Sequence, residues 1–483
     1  MPPRPTNLLI VSDLHLGGPL RPPFGFKALR QVARLDRELS RFLTWWSAHP
    51  QAGDDGLPLP WKLVLNGDTI DFLHMDLRPD ADGDGAPDDD EQLHGLAFAA
   101  GRSRWKLDQI ARFHRRSFRA LGRFVEAGNE LVFIIGNHDA DLFFRGVREG
   151  MVEHIVRYAA DPRAARALIS FSPWFFYEEG RAYVEHGHRF DPYATFPDPL
   201  SPVDPDEPRR LAPNFGHWGL RYFCNRITSF PVHDVDTWGI RDFLRWAGRL
   251  AGLPLLRAFW QSIVFLVRYL VDAARDAARR RTFQAARKLR RRARLTAFAT
   301  RYGMPLARVL ALDNLRLPHV GASVGRMMQA LYMDQAALAA AFVAGTVVAF
   351  TLLSPSAAAF MTMGLLGAAW HTWRWLARLR PAQDVHPLLA RLARRIAWLT
   401  GARVVVFGHT HRPVLRALGG AQFLNPGSWE HLPRQRMHRA DEPCDCAARF
   451  GVVTGSKERT RASLMRWCRR VRAPLKLVTE PGG

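Results

Sequence analysis

The stretch Val404-Val405-Val406-Phe407-Gly408-His409-Thr410-His411 decides how the rest of the chain is understood. An apolar, β-branched run of this kind reads as a buried strand. A glycine cuts it, and two imidazoles follow at once. Histidines at i and i+2 of an extended chain point the same way, so His409 and His411 can reach two adjacent metal ions. A lone His-x-His at a strand end is more often coincidence than a metal site. Its weight comes from four other strand-like runs that end in the same kind of residue.

Leu8 to Val11 is the first of these and runs into Ser12-Asp13-Leu14-His15, where Asp13 and His15 again share a face. Carboxylate and imidazole both suit a borderline divalent metal, although an aspartate here also serves as a helix cap. Leu63-Val64-Leu65 ends in Asn66-Gly67-Asp68, with Asp71 just beyond; the glycine permits close approach and leaves Asp68 exposed at the strand tip. Leu131 to Ile135 ends in Gly136-Asn137-His138-Asp139, which is a Gly-Asn turn or a ligand pair. Trp174 to Tyr177 and Arg181 to Val184 form a hairpin that ends in Glu185-His186-Gly187-His188. In α/β sheets ligands gather outside the carboxyl ends of the strands, so the five tips are expected to converge.

The composition agrees with a folded protein near an anionic partner. The 483 residues suggest two or three domains, and 47% hydrophobic content with 15 Trp excludes a disordered chain. A net charge of +23 implies anionic lipid, nucleic acid or a phosphorylated substrate, unless the surface is basic without purpose. Cys224, Cys444, Cys446 and Cys468 form no C-x-x-C pair, which fits a reducing compartment. Met1 to Asn7 runs straight into a strand, so no signal peptide is expected. Lys27 to Trp46 and the arginine-rich Arg102 to Glu126 have helical spacing. Asp80, Asp82, Asp84, Gly85 and Glu91 match a calcium-binding loop, with a solvated acidic loop as the alternative.

The ordered motifs D-x-H, G-D, G-N-H-D, H-G and G-H-x-H resemble those of the calcineurin-like metallophosphoesterase superfamily. Asn425-Pro426-Gly427-Ser428 is similar to the glycine turn that follows the family's last motif. The resemblance covers roughly Leu8 to Asp191 and Arg403 to about Arg466. It implies an α/β fold, a two-sheet sandwich flanked by helices. It also implies that Asp13, His15, Asp68 and His411 hold one metal and Asp68, Asn137, His186 and His409 a second. Two such cations, about 3.5–4 Å apart, clamp phosphate oxygens and lower the pKa of a bridging water that attacks phosphorus. His138 would protonate the leaving group, with Asp139 as its orienting carboxylate. Mixed N/O ligation suits manganese, iron or zinc. Either His186 or His188 satisfies the spacing; the family's H-G pair favours His186 and leaves His188 and Arg189 as substrate-contact candidates.

Residues 192–402 are an insertion between core segments 1–191 and 403–483. Leu255 to Val271 is apolar, and Arg279 to Arg294 is densely cationic. Nucleic acid is a further partner, although no RNA-binding motif accompanies these arginines. Ala336 to Leu353 carries no charge, Ser354-Pro355-Ser356 interrupts it, and Ala357 to Trp370 continues apolar into Trp373, Arg374 and Trp375. Because the strands on either side of the insertion join one sheet, the chain crosses a bilayer twice or not at all. A membrane hairpin over 336–376 and two packed soluble helices both satisfy this. The expectation is a dimetal hydrolase of a phosphate ester or pyrophosphate, cytoplasmic or on the cytoplasmic side of a membrane. The segment around His186 resembles UDP-2,3-diacylglucosamine pyrophosphatase-like members, which favours an amphiphilic substrate. The alternatives are a soluble nucleotide or protein phosphatase, or a non-catalytic scaffold. Oligomeric state is not legible.

Overall fold

The computed structural model describes residues 6–21, 24–52, 56–80, 85–227, 240–250, 252–380, 384–430, 432 and 448–477. Two mixed sheets face each other in an α/β architecture. The seven-stranded sheet runs Ala473–Lys476, Arg461–Cys468, Arg449–Thr454, Asn7–Val11, Trp61–Asn66, Glu130–Ile134 and Ile169–Ser172 in spatial order. The five-stranded sheet runs Val414–Ala417, Gln422–Asn425, Val404–Val406, Ala182–Glu185 and Phe175–Glu178.

Alternation along each strand divides the apolar residues among three cores. Leu8, Ile10, Val64, Val132 and Ile134 meet Val184, Val404, Val406 and Leu424 between the sheets. Their neighbours Leu9, Val11, Leu63, Leu65 and Phe133 turn outward, onto helices that include Phe26–Ala48, Ala100–Phe113 and Arg145–Val156. On the far side, Phe175, Tyr183, Val405 and Phe423 are covered by Leu295, Phe298, Val309, Leu312, Leu389 and Ile396 of the insertion. Burial on both faces explains why these strands read as continuous apolar runs rather than alternating ones.

The arginine-rich segment expected as one helix is two, Ala100–Phe113 and Arg115–Glu126. The break falls at His114, whose ring is fully buried, paired with Asp36 at 2.7 Å and accepting from the Gly17 N–H at 3.1 Å. In the insertion, the two segments read separately from their composition belong to a single helix, Leu253–Tyr302. Met333–Leu352 and Pro355–Leu379 form a helical hairpin, with Pro355 opening the second arm. Ala182–Glu185 and Val404–Val406 are adjacent parallel strands, so the chain leaves and re-enters the sheet side by side.

Candidate metal centre

Among the described residues, seven non-glycine positions have positive φ, and five of them are Asp13, His15, Asp68, His409 and His411. The left-handed region is sparsely populated for such residues and costs on the order of 1 kcal/mol each. Neighbouring contacts hold them there. The Asp13 N–H donates to Gly67 O at 3.2 Å, the His15 N–H to Asp68 O at 2.9 Å, and the Gly408 N–H to His186 O at 2.8 Å. Extended-chain alternation therefore does not aim His409 and His411. Their strand ends at Val406, and two left-handed residues beyond it turn both rings toward the same space.

Two motif glycines are required by proximity. A Cβ at Gly67, where φ is +77°, would run into the His186 ring, and one at Gly408 into Ser12 and the Asp13 carboxylate. The turn at Asn425 braces the same loop: its amide donates to Gly408 O and Thr410 Oγ1, each at 3.0 Å. Ser428 Oγ donates to Asp13 O at 2.9 Å.

All seven residues expected to bind metal come together. Asp13, His15 and His411 form one group; Asp68, His186 and His409 form another. In the first, His411 Nε2 lies 3.2 Å from Asp13 Oδ1 and 3.3 Å from His15 Nε2. In the second, His186 Nε2 is 3.2 Å from Asp68 Oδ2 and 3.3 Å from Asn137 Oδ1. Asp68 Oδ2 is also 3.9 Å from His15 Nε2, so this carboxylate stands between the groups. Buried Asp13 Oδ1 faces the His411 ring rather than a backbone N–H, an arrangement that suits a shared cation. Lone-pair-bearing nitrogens and oxygens converging at these separations fit a pair of divalent ions with mixed N/O ligation.

Charge sharing in the cluster is strong. Burial would raise the Asp68 carboxyl, but His186 and His138 hold it well below the usual range. Burial would lower the His186 imidazole, yet Asp68 beside it raises the group to about 9. Asp68, expected at an exposed tip, is 1% exposed, because the five tips close over one another. Access remains on the side of His411, whose side chain is 35% exposed.

The structure corrects the partner of His138. Asp139 faces away from that ring and accepts from the Gly136 N–H at 2.6 Å and the Thr69 N–H at 2.8 Å, tying two motif turns together. Burial, with Asp68 adding to it, pushes its carboxyl up to about 7. The carboxylate that reaches His138 is Asp71, at 3.1 Å from Nδ1. Its other oxygen lies 3.0 Å from His15 Nδ1 and 2.6 Å from His74 Nδ1. Burial pulls the His138 imidazole down, but Asp71 and Asp68 more than reverse this and hold it above its ordinary value.

Two other partners escaped the sequence reading. Asp191 Oδ2 meets His409 Nε2 at 2.9 Å, and Glu430, 6% exposed, contributes to raising His15. Asp71 follows closely on Asp68, and Asp191 on the His186-Gly187-His188 run. A carboxylate so near a ligand run was the available signal, since metal-binding imidazoles commonly take a carboxylate partner.

Other expected residues fall elsewhere. His186 rather than His188 joins the cluster; His188 packs behind it with ring centroids 5.5 Å apart, and burial keeps it well below its usual pKa. Arg189 is no surface contact: it is 1% exposed, 2.6 Å from Asp313, and stacked 4.0 Å over Trp174. Glu91 caps the helix Asp89–His94 with Asp88 and accepts from Arg102 Nε at 3.0 Å. Asp80 is exposed, while Asp82 and Asp84 of the expected calcium loop lie outside the described residues. No protein-family model matches the chain, and no curated protein matches it either.

Proposed function

We propose that the chain is a dimetal-dependent hydrolase of a phosphate ester or pyrophosphate, of the calcineurin-like metallophosphoesterase type. One observation carries this reading: Asp13, His15, Asp68, Asn137, His186, His409 and His411 leave five separate strand tips and meet as two groups with Asp68 between them. In this reading residues 1–191 and 403–483 form the catalytic core and 192–402 an insertion.

Asp13, His15, Asp68 and His411 would hold one divalent ion, and Asp68, Asn137, His186 and His409 the other, as manganese, iron or zinc. When bound, such ions supply Lewis-acid charge for phosphate oxygens and lower the pKa of water. The chain's own groups supply the rest. Asp71 fixes the His138 tautomer through Nδ1, leaving Nε2 to donate a proton to the departing oxygen. Asp71 and Asp68 raise the basicity of His138 above its ordinary value, which favours the protonated form this step needs. Burial of Asp13, Asp68, His15 and His186 excludes bulk water and strengthens each of these interactions.

The substrate class that best fits the basic, apolar insertion is an amphiphilic phosphate or pyrophosphate. A panel of nucleotide-linked lipids, phospholipids, free nucleotides and phosphopeptides, assayed with added manganese, tests this with Asp68→Ala as the inactive control. Metal-dependent turnover of lipid-linked substrates is expected. Turnover confined to nucleotides or phosphopeptides would replace the substrate class, and no turnover of any member, nor of an aryl phosphate, would sink the hydrolase reading.

A further inference from the structure

Residues 192–402 carry two apolar surfaces that the other described residues leave uncovered. The first is the hairpin. From Gln335 to Trp373 the chain has no Asp, Glu, Lys or Arg. Its arms close on each other through small residues, Ala349 and Ala358 being buried and Leu365 lying against Gly345. The outer faces do not pack: Val347 is 56% exposed, Phe360 79% and Leu366 57%. The second surface is the first half of the helix Leu253–Tyr302. Ala258, Phe265 and Tyr269 face inward, while Leu256, Phe259, Trp260, Ile263 and Val267 form an apolar stripe on the outside.

Among the described residues two helical stretches, Leu253–Arg275 and Met333–Leu352, are long and apolar enough to cross a membrane, and only 22% and 11% of their most apolar windows is buried. A core helix of a soluble domain would be mostly buried, and uncovered apolar area on this scale marks an interaction surface. The first arm, with 20 residues, extends about 30 Å, the depth of a hydrocarbon core. Uncharged Ser354 and Ser356 form its tip, so nothing ionised has to enter lipid.

The hairpin root supplies the charge. Exposed Arg374 and Arg378 are interleaved with and follow on from Trp370, Trp373 and Trp375, an arrangement of aromatic rings backed by cations. Arg380 locks the two arms together by pairing with Asp334 at 3.1 Å and stacking 3.7 Å over Tyr332. Residues past the root reach the loop of the candidate metal centre. Asp384 accepts from Arg412 at 2.7 Å, and His386 meets Thr410 Oγ1 at 3.2 Å, on the loop that holds His409 and His411.

We infer that the hairpin and the outward stripe of the long helix anchor the protein in an anionic bilayer, with the arginine-rich root at the headgroups on the cytoplasmic face. The anchor then sets the metal-centre loop beside the lipid surface, where an amphiphilic phosphate would be met. Only this last consequence rests on the hydrolase reading; the anchor stands on the apolar and charged surfaces.

Vesicle flotation of the full chain, without turnover, tests it. The probes are phosphatidylcholine vesicles with and without about 30 mol% phosphatidylglycerol. The protein is expected to float with both and more completely with the anionic vesicles. The triple variant Val347→Asp, Phe360→Asp, Leu366→Asp, altered only at outward positions, should lower the floated fraction by ~10-fold or more. Arg374→Glu with Arg378→Glu should remove the preference for anionic lipid. Circular dichroism and hydrolysis of a water-soluble aryl phosphate check that these variants are folded and report on the hydrolase reading separately. Wild-type protein that stays at the bottom of both gradients overturns the inference, as does a triple variant that floats like wild type. So does a detergent-free, soluble oligomer whose contacts cover the hairpin, or retention that nuclease treatment abolishes.

Discussion

In the proposed reading, replacing Asp71 with asparagine should damage the candidate metal centre and the proposed proton donor together, by a route its contacts define. The carboxylate is fully buried, and its two oxygens are not equivalent. Oδ1 accepts from the Leu73 N–H at 3.1 Å, the His74 N–H at 2.8 Å and His138 Nδ1 at 3.1 Å. An amide NH2 cannot sit opposite two backbone N–H groups, so the asparagine oxygen keeps that end. The amide nitrogen then takes the place of Oδ2, facing His15 Nδ1 at 3.0 Å and His74 Nδ1 at 2.6 Å. His15 must turn Nδ1 into an acceptor and carry its proton on Nε2, the atom that faces His411 and Asp68. A ligand lone pair is lost, and metal affinity should fall ~10–100-fold, the usual cost of removing such an orienting partner.

His138 loses the charge beside it at the same time, so kcat at saturating metal should fall by roughly 10²–10⁴. The sign of the pH effect follows. Burial lowers the His138 pKa and the carboxylates raise it above the ordinary value, so its proton is present at low pH and lost as pH rises through the raised pKa. Removing the Asp71 charge lowers that pKa, and the alkaline limb of kcat should move to lower pH by about 1 unit. Aryl phosphate turnover against manganese concentration and pH, with metal content by plasma mass spectrometry, checks all three. Wild-type metal content, kcat and alkaline limb in Asp71→Asn would refute the reasoning.

Metal loading at pH 7 should release protons. Burial lowers His15, but Glu430 and Asp71 hold it well above its usual value, and His186 is raised to about 9. Proton release is therefore expected on loading, read by calorimetry in buffers of different ionisation enthalpy; no dependence on buffer would contradict this. Asp191→Asn should weaken binding of one of the two ions by ~10-fold while sparing the other, because only His409 loses its partner; equal effects on both in a metal titration would count against it. Arg189→Ala should cost about 2 kcal/mol in denaturant unfolding, since it removes one of the two arginines that pair with buried Asp313 and leaves Arg291 as the other, with KM for a soluble aryl phosphate unchanged. A raised KM at wild-type stability would restore Arg189 as a substrate contact.

The candidate donor types were legible because each sits at the end of an apolar run, and the end of a strand is a local property. Long-range partners were not. Asp139 follows His138 in sequence, yet the turn folds its carboxylate back onto the Gly136 N–H, and Asp71 arrives at the ring from the neighbouring strand tip. Arg189 follows the His186 motif, but the helix Leu306–Asp313 brings Asp313 over it and buries the pair. The hairpin was visible in composition alone. That its outer faces stay uncovered depends on what packs nearby, which no window of residues contains.

By itself the amino-acid order determined the strands, the candidate donors at their ends and the presence of a largely helical region between two strands of one sheet. These follow from side-chain polarity at short range. Tertiary structure alone decided which donors face one another, which carboxylate steers which imidazole, and that the histidine pair is aimed by left-handed turns rather than by strand alternation. Those outcomes depend on backbone direction after each strand and on segments hundreds of residues apart meeting within hydrogen-bonding distance, a geometry that only the closed fold creates.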